Sequence, residues 1–367
     1  MLTKADEYPI HQTPDPIAFS GTDRNFYDRY FFNGHSRDGH VFFGAAMGIY
    51  PHLNIIDAGF SVRIGGVQYN LRGSRHLAME RMDTFVGPLR IEVVEPLHSL
   101  RVIVEDNEHG IEADLTFTGR HFPLEEKRNT RRIGPRTLQD LTRMTQMGRY
   151  SGRLIACGQE ITFTEQDPAL GVRDRSWGVR PIGERDPQAP VPAQEMQVSW
   201  YWLPVHFDDG VMLFFVNEDS DGMPWNHGLL TCADGGEAVH WPEAKLDVSL
   251  KPATRWPAHA RVNARDAAGH ACTIEIEPGE KFFMSGLGYM HPDWNHGKNK
   301  GEFAIGYDEI RAAEVETYGP PHQHVQAFAN VTVTPEGGPA RRGVGSFEYI
   351  IIGRHAPSGL TSLFDVP

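Results

Sequence analysis

Near the middle of the chain, Gly171-Val172-Arg173-Asp174-Arg175-Ser176-Trp177-Gly178-Val179-Arg180-Pro181 gathers one carboxyl, three arginines and an indole into a single stretch. On a strand, alternation would set Asp174 and Ser176 on one face and Arg173, Arg175 and Trp177 on the other. A carboxyl turned away from the guanidiniums and sunk in an apolar wall keeps its proton, because burial penalises the charged form. Asp174 would then be a general acid. The same residues also fit a buried ion pair, in which Asp174 meets Arg173, Arg175 or Arg180, has a depressed pKa and pins two domains together. Spacing leaves both readings open.

Other stretches carry residues of similar promise. In Trp200-Tyr201-Trp202 the two indoles would share a strand face and Tyr201 the other, giving an apolar wall or a cation-stabilising surface; ordinary core packing fits them equally. Gly286–Gly297 holds Tyr289, His291, Asp293, Trp294 and His296 in a loop-like run that makes poor core material, so it is a second candidate for a site wall. His291, Asp293 and His296 lack the regular spacing of a metal site. His322 and His324, just before a strand, would share a face and line a polar pocket; no third ligand is dictated, and no metal is expected. Asn33–His40 reads as a turn between strands, and His52, Asp57 and His76 as structural polar residues.

Composition narrows the function classes. Thirty-five Lys and Arg against 48 Asp and Glu give a net charge of −13, which opposes binding to nucleic acid or to an anionic membrane surface. No window approaches the ~18 apolar residues of a membrane span, and the N-terminus has no apolar leader. A soluble, cytoplasmic protein without stable membrane insertion is expected. Cys157, Cys232 and Cys272 are far apart and lack CxxC spacing, so they read as buried small hydrophobes. There is no G-x-S-x-G elbow, Walker loop or HExxH, and no cofactor is implied. Nothing in the sequence fixes the oligomeric state.

The elements that must position these residues are short strands. Runs such as 40–50, 55–63, 66–72, 89–96, 100–105, 110–118 and 152–164 are rich in β-branched and aromatic residues and are separated by turn chemistry. The pattern resumes at 195–204, 210–217, 227–232, 245–251, 258–264, 270–277, 302–312 and 325–334; Gly343–Arg354 is expected to end the second sheet. Residues 1–30 read as an extended arm and 181–193, with Pro181, Pro187, Pro190 and Pro192, as a linker. Residues 120–148 break the rhythm and read as a long connection or lid with a short helix at Thr137–Met144. The length suits two domains, 1–185 and 186–367, each an antiparallel β-barrel or sandwich.

Arg173-Asp174-Arg175-Ser176-Trp177-Gly178 resembles the R-D-x-S-W-G signature of the hydroxyneurosporene-synthase-like (carotenoid hydratase-like) superfamily. Phe43–Pro51 and Gly353–Gly359 are similar to bacterial members, and the likeness spans roughly residues 25–360. Arg175 stands where carotenoid hydratases more often carry histidine. The resemblance implies an all-β fold of two tandem lipocalin-like (calycin) antiparallel β-barrel domains. It also implies a hydratase, dehydratase or isomerase working by acid catalysis, without a cofactor, on a C=C bond of a hydrophobic terpenoid or prenylated small molecule. Asp174 would then be the proton donor, with His291 or His322 holding the water, and Trp177, Trp200, Tyr201, Trp202, Tyr289 and Trp294 would line the substrate. A lipocalin-like carrier that leaves its ligand unchanged, and a cyclase or pericyclic catalyst, are the alternatives.

Overall fold

Short strands whose two faces are both apolar cannot stay in a single open sheet, and this chain buries them by packing two curled sheets against each other. The computed structural model describes residues 1–367 except 20, 189–190 and 192–194, so Pro190 and Pro192 of the expected linker lie outside the described residues. Among the described residues the helical turns are short 3-10 pieces such as Lys4–Glu7 and Met284–Leu287, and every strand pairing is antiparallel. In the first sheet the strand order is Phe303–Arg311, Val67–His76, Ile55–Ile64, Val41–Tyr50, Phe26–His35, Ala169–Val179, Arg136–Ala156, Glu112–Gly119, Ser99–Val104, Leu89–Glu95 and Phe85–Val86. Leu124–Ile133 and Gln159–Phe163 also pair with Arg136–Ala156. The second sheet runs Val239–His240, Pro224–Ala233, Gly210–Glu218, Val198–Phe207, Arg341–Ile352, Val325–Pro335, Ala271–Phe283, Pro257–Arg265 and Glu243–Leu250. The fold is all-β, a tandem pair of lipocalin-like barrels.

Each barrel is filled. Phe43, Phe60, Phe117 and Tyr150 occupy the first core, and Tyr201, Phe214, Phe347 and Tyr349 the second. The outer faces are buried as well. Phe31, Phe42 and Ala46 cluster with Phe282, Leu287 and Phe328, while Leu124, Met147 and Val172 cluster with Trp202, Leu213 and Phe215. This explains why Val41–Tyr50, buried along its whole length, reads as a continuous apolar run without alternation. Fully burying a Phe or Leu is worth roughly 1.5–3 kcal/mol, so the contact between the sheets is a major part of the fold's stability. Asn33 joins them through polar groups: its Nδ2 donates to Gln326 Oε1 at 2.9 Å and Ser346 Oγ at 3.0 Å, and its Oδ1 accepts from the Val172 N–H at 3.1 Å.

The structure departs from the sequence reading in several places; Cys157, expected to be buried, is exposed, and the first strand starts at Phe26, inside the expected arm. Thr137–Met144 is not helical but lies in the long strand Arg136–Ala156, held between Ala169–Val179 and Leu124–Ile133, so that 120–148 is sheet rather than a loose lid. Asn33, Gly34 and His35 finish the strand Phe26–His35, which leaves only Ser36–His40 as a turn. Arg341–Ile352 ends the chain's strands but not the sheet, since it lies between Val198–Phe207 and Val325–Pro335. Phe303–Arg311, from the C-terminal half, crosses to pair with Val67–His76 in the first sheet.

Candidate active site

The Ala169–Val179 strand is flanked by Phe26–His35 and Arg136–Ala156, with Asp174 opposite Phe31 on one side and Thr145 on the other. Alternation operates as the spacing predicts. Arg173 and Arg175 turn to the opposite face, where Arg173 Nε donates to Gln146 Oε1 at 2.8 Å and Arg175 pairs with Asp28 and lies 4.0 Å above the Tyr30 ring. Those two guanidiniums are thus engaged away from Asp174, whereas Arg180 lines the same cleft, over the Tyr27 ring at 4.5 Å. Gly178 closes the motif for a steric reason: its φ is +133°, and a Cβ there would sit 2.2 Å from the Asp140 carbonyl oxygen.

Asp174 opens onto a cleft of about 270 Å³ between the two sheets, not inside either barrel. Its nearest cation is Arg143, whose Nε is 3.2 Å from Asp174 Oδ2 and whose Nη1 is 3.5 Å from Glu126 Oε2. One guanidinium therefore serves two buried carboxyls. Burial raises Asp174 to about 6; Arg143 opposes the shift, and the neighbouring Glu126 and Glu348 reinforce it. Glu126 is pushed up too, chiefly by burial, although its Oε1 accepts from Thr145 Oγ1 at 3.2 Å.

Glu348 is driven the other way. Burial alone would raise it, but the imidazole of His324 and the amide of Gln326 outweigh burial and hold the group below the usual range. Its Oε1 accepts from His324 Nε2 at 2.7 Å and Trp200 Nε1 at 3.0 Å, and its Oε2 from Gln326 Nε2 at 2.6 Å. Carboxyls of opposed character in one cleft are the arrangement that separates an acid from a base. Tyr289 completes the inner wall, with Arg29 stacked 4.7 Å from its ring and the rings of His324 and His296 edge-on at 4.7 and 4.4 Å. Trp200, Trp202 and Phe31 add apolar surface. Among the described residues no set of three or more His, Cys, Asp or Glu side chains converges as a metal would need.

The model for the "Family of unknown function (DUF8625)" matches residues 2–361. The chain belongs to that family. No curated protein matches it. Among solved structures, it is similar to a Nitrosomonas europaea protein bearing the provisional name AttH, at 14% identity over 93% of this chain and 98% of that one, with a TM-score of 0.51. It is also similar to CghA, solved with Sch210972, at 10% identity over 89% of each chain and a TM-score of 0.50. Kievitone hydratase from Nectria haematococca aligns at 10% identity over 88% of each chain with a TM-score of 0.46. At such identities the likeness is one of fold.

In this DUF8625 chain the cleft brings together Asp174, Trp200, Trp202 and Tyr289 of the residues anticipated from sequence. The others lie elsewhere. Trp177 follows the arginines to the opposite face and is 39% exposed, and Tyr201 is locked in the second core with its ring 6.0 Å from Phe347. His291 Nδ1 accepts the N–H groups of Asp293 and Trp294, both at 3.0 Å, which makes it a turn-former; Trp294 itself packs under Lys300 in a separate small hollow. His322 ends a 3-10 turn before the strand begins, donates to the Glu316 carbonyl and does not share a face with His324. Sequence reasoning had His324 lining a polar pocket, as it does, but passed over Glu126, Arg143 and the pairing of His324 with Glu348. One signal was readable: Glu348 is the lone charge in the apolar run Ser346–Ile352.

Proposed function

We propose that this protein is a cofactor-independent hydratase, dehydratase or isomerase that protonates a C=C bond of a compact terpenoid or prenylated molecule, with Asp174 as the general acid. The observation that carries this reading is a carboxyl raised to about 6 within one cleft of a carboxylate–imidazole pair. Protonated Asp174 gives its hydrogen to the less substituted alkene carbon, and a tertiary cation forms on the other carbon. Trp200 and Tyr289, whose rings already face Arg143 at 5.1 Å and Arg29 at 4.7 Å, and Trp202 supply aromatic surface of the kind that suits that cation, because aromatic rings attract positive charge. Glu348 and His324 take a proton from the attacking water as its oxygen bonds to the cation, and Arg143 stabilises the newly formed Asp174 carboxylate. The proton then returns to Asp174 through solvent, so that alkene plus water gives alcohol.

The cleft lies at the small end of ligand pockets, about 300–1,000 Å³, which favours a compact substrate over a carotenoid-length chain. That the same fold in CghA was solved with a small molecule, Sch210972, is in keeping with a ligand-binding cleft. A non-catalytic carrier fits less well, since it has little reason to bury Asp174 and Glu126 beside a bound ligand. The test is incubation in D₂O with a panel of trisubstituted isoprenoid alkenes and prenylated phenols, followed by mass spectrometry. Addition of D₂O, or deuterium at the alkene, is expected with the native protein, and Asp174→Asn should lower the rate about 10²–10⁴-fold. Retention of an unaltered ligand with no deuterium in any substrate would establish the carrier instead.

A further inference from the structure

We infer that the substrate is an amphiphilic acid, with its reacting C=C at Asp174 and a carboxylate at the far end of the cleft held by Arg131. This rests on the reading above, and it follows from what lines the cleft away from the acid. The wall formed by Leu124–Ile133 and Arg136–Ala156 is layered by register. Glu126 lies opposite Arg143, Asn129 opposite Leu141, and Arg131 opposite Gln139, and all six line the cleft. The layers pass from buried carboxyls through Leu141 to a partly exposed rim of Arg131 and Gln139, with the exposed Trp225 against Arg131, while Lys127 stands in the bulge next to Glu126.

Two register shifts produce this arrangement. Asn129 and Glu126 are three residues apart, yet their partners Leu141 and Arg143 are only two apart, so one extra residue is inserted between them. Such a bulge breaks alternation and re-aims side chains, and it allows Glu126, Lys127 and Asn129 all to line the cleft. Arg131 lies 5.4 Å from the Trp225 ring, and among the described residues neither Arg131 nor Lys127 has a carboxylate partner. The inner cation, Arg143, is by contrast occupied by Asp174 and Glu126. Arg131, without a carboxylate partner at the rim of a cleft whose own Glu218 is taken up by His355, is the cation suited to an anion there. The guanidinium fork favours a carboxylate, bound by two parallel hydrogen bonds.

The spacing sets the substrate's length. Gln139 is six residues from Thr145, the register partner of Asp174, which is ~20 Å of extended strand, and the reach of the two side chains leaves roughly 12–15 Å between the head group and the reacting carbon. An extended chain advances about 1.2 Å per bond, the ratio that gives a backbone residue its span of about 3.5 Å, so roughly ten bonds fit. Farnesoic acid has its terminal trisubstituted alkene at that distance from the carboxylate, whereas geranic acid falls short and geranylgeranoic acid overshoots.

The experiment uses the full chain and two readouts: quenching of tryptophan fluorescence for binding and D₂O addition for turnover. The probes are the three acids with farnesol and methyl farnesoate. Farnesoic acid is expected to bind roughly ten- to hundredfold more tightly than its ester or alcohol, the range for a hydrogen bond to a charged group. Arg131→Gln should remove that preference and raise KM for the acid while the ester's affinity stays as in the native protein. Equal affinity for acid and ester, or no binding of any acid, would overturn the inference. Tight binding of the acid without turnover would instead defeat the hydration reading and leave the head-group assignment standing.

Discussion

Asp174 decides between two chemistries, and pH separates them. A carboxyl near 6 when folded and about 3.9 when unfolded favours the native state fully below pH 4, and that contribution is lost as pH rises through 6. The gap of about two pH units corresponds to about 3 kcal/mol. Wild type should therefore lose stability relative to Asp174→Asn between pH 4 and 7, measured as the difference in Tm across a pH series. If Asp174 is instead an ion-pair anchor for Arg143, the sign reverses and the substitution costs about 3–5 kcal/mol at pH 7. Glu348 carries the opposite sign. Being lowered, it stabilises above its unfolded value near 4.3 and loses that contribution as pH falls. Glu348→Gln sets an amide against the donors of His324 and Trp200, so it should cost about 1–3 kcal/mol at pH 7, with the deficit shrinking toward pH 4 in denaturant titrations.

Among the elements, the motif strand depends on Gly178. A methyl group there meets the Asp140 carbonyl at 2.2 Å in a backbone region that side chains avoid, so Gly178→Ala should cost more than ~1 kcal/mol and shift Asp174 with its strand. A lowered urea midpoint with unchanged m-value would bear this out, and a midpoint equal to wild type would show that the strand adapts. The wall strands explain where periodicity reasoning failed. Leu124, Glu126 and Ile133 are the buried positions of a charged segment, and a carboxyl stands where an apolar residue would have marked the inward face. With two bulges as well, no period of two survives to be read. These departures from the local pattern fall in the wall of the proposed site.

At the scale of the whole molecule, the sheets are interdependent. Phe303–Arg311 pairs along Val67–His76, and Asp308 accepts from Arg72 Nη1 at 2.8 Å and from Asn70 Nδ2 at 2.8 Å. Residues 1–185 expressed alone would leave that strand unpaired and expose Phe31, Phe42 and Ala46. The fragment is expected to aggregate or to melt well below the full chain in circular dichroism and size-exclusion chromatography, and the full chain to unfold in one cooperative transition. An equally stable monomeric fragment would show that the first barrel is autonomous.

What the sequence determined by itself was local. Outside the wall strands at 124–156 and the end of Phe26–His35, the strands and turns, the face occupied by Asp174 against Arg173 and Arg175, and the shared face of Trp200 and Trp202 follow from side-chain period and turn chemistry, which act over a few residues. The resemblance of Arg173–Gly178 pointed to the barrel fold. The tertiary structure decided which polar residues meet. His324 and Glu348 belong to neighbouring segments of the second sheet, Asp174, Arg143 and Glu126 to the first, and they share a cleft only because the outer faces of the two sheets dock. His291 and His322 look equally reactive in the sequence, yet turns consume their hydrogen bonds. Spacing along a chain fixes the face of a strand, whereas burial, partner and pKa depend on which distant face is packed against it.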